Sequence, residues 1–287
     1  MRVNISVVSG KGGAGKTFVA LHLASLLQDK AILVDLDVEE PDAHLYIKGK
    51  EVDTKPAVVL IPEVDESKCT HCKECASVCQ FHALVPIKNK ILVLDHLCQS
   101  CTACWTLCPT GAITPVEKKV GSITTFRGND ITLIEGRLIE GEIAVVPIIN
   151  QAKSFAYELG KDKKHIIFDS PPGTSCAMVN SVTDSDLVVV VAEDTLFGLH
   201  DMLLVLDTLT HLNLPFLMVV NKEQKGHSVI GSWAEEHKEP IVASLPFDRR
   251  ISMVYGRGNT IFNDLPEYKE PFRTILQAIE KLDTKNI

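Results

Sequence analysis

Eight of the nine cysteines in this 287-residue chain fall into two runs of identical spacing: Cys69, Cys72, Cys75, Cys79, and Cys98, Cys101, Cys104, Cys108. Each member of the second run lies 29 positions after its counterpart in the first. Four thiolates so spaced cannot all surround one metal centre, because a helix following the loop carries the fourth away from the other three. The fourth must serve a neighbouring centre, which ties the two runs into one duplicated unit.

The runs resemble the bacterial two-cluster ferredoxins, whose Cys-x2-Cys-x2-Cys-x3-Cys-Pro pattern sends the fourth cysteine to the other cluster. The resemblance implies one 4Fe-4S cluster on Cys69, Cys72, Cys75 and Cys108, and a second on Cys98, Cys101, Cys104 and Cys79. Ala83-Leu84 and Ala112-Ile113 occupy matching places after the fourth cysteine. Pro109 follows Cys108, but Gln80 follows Cys79, so the first half lacks the proline that stiffens the way out of the ligand loop. A structural zinc site would leave the third and fourth cysteines of each run without a role. A disulfide framework needs an oxidising compartment, and no signal peptide precedes the first strand. His71, His82 and His96 lie near the runs and read as surface or packing residues rather than ligands.

The N-terminus carries a different chemistry. Val3-Asn4-Ile5-Ser6-Val7-Val8 is a short apolar strand, followed by Gly10-Lys11-Gly12-Gly13-Ala14-Gly15-Lys16-Thr17, and then by Phe18, Leu21, Ala24 and Leu27 at helical spacing. Gly-x4-Gly-Lys-Thr between a strand and a helix is a phosphate-binding loop: glycines let backbone N–H groups approach phosphate oxygens at a helix N-terminus. Lys16 is expected to reach the β- and γ-phosphates, and Thr17 to bind Mg2+. A glycine-rich turn of purely structural purpose would not need the Lys-Thr pair.

Lys11 is an extra lysine, and Lys11-Gly-Gly-x-Gly-Lys-Thr resembles the deviant Walker A motif of the MinD/ParA-type ATPases, which include the nitrogenase iron protein and the Mrp-like iron-sulfur carriers. That resemblance implies an ATP-dependent dimer, homodimeric or with a related ATPase, in which Lys11 reaches the partner's nucleotide. It also implies that Asp35-Leu36-Asp37 is the first switch, with Asp37 positioning the attacking water and Asp35 in the Mg2+ shell. Ile166-Ile167-Phe168-Asp169, followed by Ser170-Pro171-Pro172-Gly173, then supplies Asp169 to the Mg2+ and the second switch. Asn221-Lys222-Glu223-Gln224 begins like a guanine-recognition motif but ends in Gln where aspartate is required, which favours adenine. The resemblance also implies that Asn221 and the Leu245-Pro246-Phe247-Asp248 loop flank the base, although that loop also reads as an ordinary strand-end turn. Cys176, seven residues after Asp169, is either a small buried thiol behind the switch or a redox or metal relay.

Leu187–Ala192 and Phe216–Val220 are continuous apolar runs of the kind buried on both faces of a parallel sheet. The expected fold is α/β: a doubly wound, mostly parallel P-loop sheet over residues 1–62 and 120–287, with a ferredoxin-like α+β insert over 63–119 and an antiparallel return within 120–150. Phe272, Ile275, Leu276, Ile279 and Leu282 make an apolar stripe that reads as a last helix docked on the core, so no membrane attachment is expected. A formal charge of −8 argues against nucleic-acid binding. Reduced cysteines point to the cytoplasm. The leading expectation is ATP hydrolysis coupled to electron transfer through two 4Fe-4S clusters to a protein acceptor. The alternatives are a carrier that delivers clusters to a recipient and a redox-sensing spatial organiser.

Overall fold

A computed structural model describes residues 2–224, 226 and 228–283. Its strands are β1 (Val3–Val8), β2 (Ala31–Asp35), β3 (Lys50–Val64), β4 (Leu84–Ile87), β5 (Lys90–Val93), β6 (Ile113–Gly128), β7 (Ile131–Leu138), β8 (His165–Asp169), β9 (Leu187–Glu193), β10 (Phe216–Glu223) and β11 (Ile241–Pro246). Its helices are α1 (Lys16–Leu27), α2 (Glu74–Val78), α3 (Ala103–Thr106), α4 (Val145–Leu159), α5 (Cys176–Val182), α6 (Leu196–His211), α7 (Val229–His237), α8 (Arg249–Tyr255) and α9 (Lys269–Asp283).

Among the described residues one large sheet runs in the order β11-β10-β9-β1-β8-β2-β7-β6-β3. All neighbours from β11 to β7 pair in parallel. Successive strand residues face opposite helical layers, which is why the runs are apolar without a break. Ile5, Val7, Leu33, Ile167 and Val189 pack in one buried cluster with residues of α1 and α9. Ile32, Val34, Ile166 and Phe168 pack against α4 on the other face, and Val188 and Val190 against α6. The mostly parallel sheet expected from the sequence is therefore present. Phe272, Ile275 and Ile279 of α9 are buried, at 0%, 0% and 1% exposure, so the last helix docks on the core as expected; the side chain of Leu282 lies outside the described residues. No described helix is long and apolar enough to cross a membrane.

The expected antiparallel return is the pairing of β6 with β7. What the sequence concealed is its partner, the long hairpin of β3 and β6, which runs from Lys50 opposite Arg127 to Val64 opposite Ile113. Pro56 and Pro62 interrupt the reading of β3 as a strand, yet β3 is the sheet edge, where a missing donor is tolerated. Pairing with β7 ends at Gly121 opposite Leu138, and beyond that point the hairpin leaves the sheet as a two-stranded ribbon. A register irregularity between Ala57 and Val58 marks the departure. Gln151 of α4 occupies it: Val58 N–H donates to Oε1 at 3.2 Å, and Nε2 donates to Val58 carbonyl at 2.9 Å.

At the ribbon's far end sit α2, the β4–β5 hairpin and α3, around a small core of Cys75, Cys79, Cys104, Ala83, Leu84, Ile91 and Ile113. The sequence repeat is also a backbone repeat. His71, Lys73 and His82 have left-handed φ of 56°, 67° and 53°; Ser100, Thr102 and Gly111, 29 positions on, have 54°, 70° and 63°.

Candidate functional site

β1 delivers the glycine-rich loop to the start of α1, and the neighbouring strands hold it there. Gly10 lies so close to α6 that a Cβ would meet the Asp201 carbonyl at 2.4 Å. Gly15, at φ 102°, caps α1 in a conformation open to glycine and would otherwise press on Asn221. Asn221 Nδ2 donates to the Ala14 carbonyl and Lys222 Nζ to the Gly13 carbonyl, both at 2.8 Å. Two adjacent residues at the end of β10 thus take up loop carbonyls.

Beyond the loop opens a cleft of about 670 Å³, whose lining includes Lys16, Thr17, Asp37, Asn221, Pro246 and Phe247. Lys16 Nζ bonds Asp37 Oδ2 at 2.9 Å and is nearly buried. Burial alone would lower the lysine's pKa, but the charges of Asp169 and Asp37 outweigh it and the pKa is raised. Asp35 accepts N–H groups from Asp37, Asp42 and Ala43, each at 3.1 Å, so its carboxylate shapes the loop after β2. Carboxylate oxygens of Asp35, Asp42 and Asp169 lie within 4.8 Å of one another. Both Asp169 oxygens are buried without a hydrogen-bond partner. Burial pushes this carboxyl up to about 7, with Lys16 and Thr17 pulling the other way and Asp42 and Asp37 adding to the rise. Burial raises Asp42 and Asp35 as well. Crowded carboxylates with orphaned oxygens beside a threonine hydroxyl are a donor set suited to a hard divalent cation.

Lys11 Nζ pairs with Glu193 Oε2 at 2.8 Å within the same chain, and Lys222 reaches the other oxygen at 3.4 Å. The Lys11 hydrogen bond holds the Glu193 carboxyl below its ordinary value. The sequence reading did not single out Asp42, Lys222 or Glu193 for these roles. Asp42 was visible only as an acidic residue after Pro41, and nothing in the linear sequence ties Glu193 to Lys11. Cys176 is exposed at the first position of α5, so a buried thiol behind the switch is not what the fold presents.

In the cysteine unit, burial raises the Cys75 thiol first, and the neighbouring thiols that raise it further are Cys69, Cys72 and Cys108. For Cys98 they are Cys101 and Cys79, again after burial. A small cavity has Cys79, Cys98, Cys101 and Cys104 together in its wall. The fourth cysteine of each run therefore stands with the first three of the other. Backbone N–H groups point at sulfur: Ala83 at Cys79 Sγ, 3.2 Å, and Ser100 at Cys98 Sγ, 3.5 Å. His82 and His96 are exposed, whereas His71 Nδ1 lies 3.7 Å from Cys69 Sγ and so touches one of the thiols.

A parallel α/β sheet with a glycine-rich loop between its central strand and a helix defines a P-loop nucleotide-binding protein. The family model for the CobQ/CobB/MinD/ParA nucleotide binding domain matches residues 5–261, and the chain belongs to that family, whose MinD and ParA members are ATPases. An uncharacterised protein of Methanocaldococcus jannaschii is 35% identical over 288 residues, covering 97% of both chains. A second uncharacterised protein of that organism is 29% identical over 272 residues, 93% of this chain and 94% of its own. Among solved structures, the septum site-determining protein MinD of Pyrococcus horikoshii, complexed with Mg-ADP, aligns with TM-score 0.61 at 18% identity over 99% of this chain and 98% of its own. The cell division ATPase MinD of Pyrococcus furiosus gives 0.59 at 20% over 98% and 100%. These structural likenesses establish a shared fold.

Proposed function

We propose that this protein binds and hydrolyses ATP with Mg2+ in the cleft, closing as a dimer, and couples that cycle to electron transfer through two 4Fe-4S clusters held over residues 63–119. Lys16 neutralises charge on the β- and γ-phosphates, Thr17, Asp35 and Asp169 hold the cation, and Asp37 orients the attacking water once Lys16 has turned to the nucleotide. Asp42 joins the cation's surroundings. Mg2+ supplies charge neutralisation at the phosphates. Asn221, Pro246 and Phe247 receive the base, and the Gly10–Thr17 backbone N–H groups cradle the phosphates. Lys11 leaves Glu193 to reach the nucleotide of a partner protomer, homodimeric or heterodimeric.

The clusters supply one-electron redox chemistry. Cys69, Cys72, Cys75 and Cys108 bind one, and Cys98, Cys101, Cys104 and Cys79 the other. The observation that carries this reading is the crosswise grouping of the thiols, with Cys79 of the first run lining one small cavity together with Cys98, Cys101 and Cys104 of the second. Two full sets of four thiolates favour retention of the clusters and electron delivery to a protein acceptor.

A carrier role is the second reading, favoured by the exposure of Cys72 and Cys101, one thiol in each set. The exposed Cys176 is a candidate relay under either reading. Electron paramagnetic resonance and iron analysis of anaerobically purified protein, with and without MgATP, test the proposal. About eight irons per chain and a spectrum that responds to MgATP are expected; about four irons or fewer, or no affinity for adenine nucleotides, overturns it. Loss of iron to an apo acceptor selects the carrier reading.

A further inference from the structure

Coupling between the cleft and the cysteine unit needs a solid connection, and α4 has the contacts for one. Its buried residues Ile148, Ile149, Ala152 and Ala156 pack in one cluster with Leu36 and Val38, which follow β2 at the cleft, and with Ala57, Val120 and Ile123 at the root of the ribbon. Ala177 of α5 packs against the same cluster. Each end of this contact is also pinned by polar bonds.

Toward the nucleotide, Lys153 is 3% exposed, and its ammonium donates to the carbonyls of Asn180 at 2.9 Å and Ser181 at 3.1 Å, with Asp184 at 3.3 Å. These carbonyls close α5, so the cation sits where the helix dipole favours it. The loop that opens α5 follows Asp169 and is tied to the start of the phosphate loop by Gly173 N–H donating to the Ser9 carbonyl at 2.9 Å. That loop is thereby linked to α5 and, through Lys153, to α4.

Toward the cysteines, Gln151 takes both backbone groups of Val58 at the irregularity where the ribbon leaves the sheet. Just before α4, Glu142 bonds Lys118 of β6 at 2.8 Å, and the same lysine bonds Asp95 at 3.0 Å, three residues before Cys98. Polar contacts thus tie α4 and the turn before it to α5 on one side and to the ribbon and Asp95 on the other.

We infer that α4 transmits the nucleotide state to the ribbon and the cysteine unit, with Lys153 and Gln151 as its positioning residues. This rests on the nucleotide-driven switch of the proposed function but does not require clusters to be bound. The inference is tested by hydrogen exchange of the full chain with and without MgATP, comparing wild type with Gln151→Leu, Lys153→Met and Lys153→Arg. In wild type, MgATP is expected to change exchange in α5, α4 and ribbon segments 58–64 and 113–119, the ribbon by about fivefold or more. Gln151→Leu is expected to keep the response of α5 and lose that of the ribbon. Lys153→Met is expected to lose the responses of α4 and the ribbon together, with Lys153→Arg restoring them. Should Gln151→Leu not fold, Glu142→Gln tests the second tie to the ribbon, through Lys118, and is expected to weaken the ribbon's response while that of α5 persists; an unchanged ribbon response counts against the inference.

A ribbon that responds equally in wild type, Gln151→Leu and Lys153→Met overturns the inference, as does a wild-type ribbon that ignores MgATP while α5 responds. An α5 that also ignores MgATP fails the nucleotide reading and this inference together. A low iron count fails the cluster reading alone and leaves the exchange result standing.

Discussion

Around the phosphate loop, groups distant in sequence fix one another: Asn221 and Lys222 hold the carbonyls of Ala14 and Gly13, and Ala14, Lys16 and Asn221 are buried. Around the two cysteine runs there is little but the runs themselves. Helices α2 and α3 span five and four residues, and the small core joins Cys75, Cys79 and Cys104 to Ala83, Leu84, Ile91 and Ile113. One site is shaped by the fold before any ligand arrives, whereas the other has cysteine thiols within its core. On the proposed function, the same chain would carry two stabilities, one from apolar burial and one from coordination.

The sharpest way to break that contrast is to remove one thiol of the cysteine unit. Cys75→Ser is expected to lose about half of the bound iron and the amide protection of residues 65–112, while the sheet stays protected; undiminished protection of 65–112 would erase the distinction. The converse change attacks apolar burial. Phe272→Ala, at a site with no exposure, is expected to cost about 4 kcal/mol in denaturant unfolding of the sheet and to leave iron content unchanged in the folded fraction.

His22 sharpens the contrast through pH. It is wholly buried, with Nδ1–H donating to the Phe18 carbonyl at 2.6 Å and Nε2 accepting from Ile261 N–H at 3.0 Å, so it is held neutral. Burial lowers its pKa to about 4 from 6.5, against the hydrogen bond to Phe18. A histidine that protonates more readily when unfolded makes stability fall as pH drops from about 6.5 to about 4. The loss is about 3.5 kcal/mol, from roughly 2.5 pH units at about 1.4 kcal/mol each. Comparing denaturant midpoints of wild type and His22→Leu over that range should reveal the loss in wild type and its absence in the variant; matching slopes would refute it. Lastly, Lys16→Ala is expected to lower ATP turnover by about 100-fold or more with iron content and the cysteine unit's protection unaltered, measured by phosphate release and iron analysis.

Local chemistry was more legible in the sequence than spatial arrangement. The strand, loop and helix at the N-terminus declared themselves, since glycines and a Lys-Thr pair at fixed offsets are needed in one short segment. The parallel core was visible in runs such as Leu187–Ala192, because burial on both faces removes polar residues. The ribbon was hidden by Pro56, Pro62 and Pro115, which an edge strand and its paired arm accommodate at a price no propensity rule foresees. Asp42 joins Asp35 and Asp169 only because the loop after β2 folds back onto Asp35 through backbone N–H groups, a closure without a linear signature. Lys11 gave no hint that Glu193 holds it, since the two meet only when β9 lies beside β1.

The ribbon closes with Val64 opposite Ile113, so the peptide departs and comes back at adjacent points. Excising everything between them would leave a gap that an ordinary turn can bridge, without disturbing a single strand of the parallel core. The hairpin thus serves as a socket: its two ends accept a plain turn or a folded appendage alike, with the parallel strands untouched.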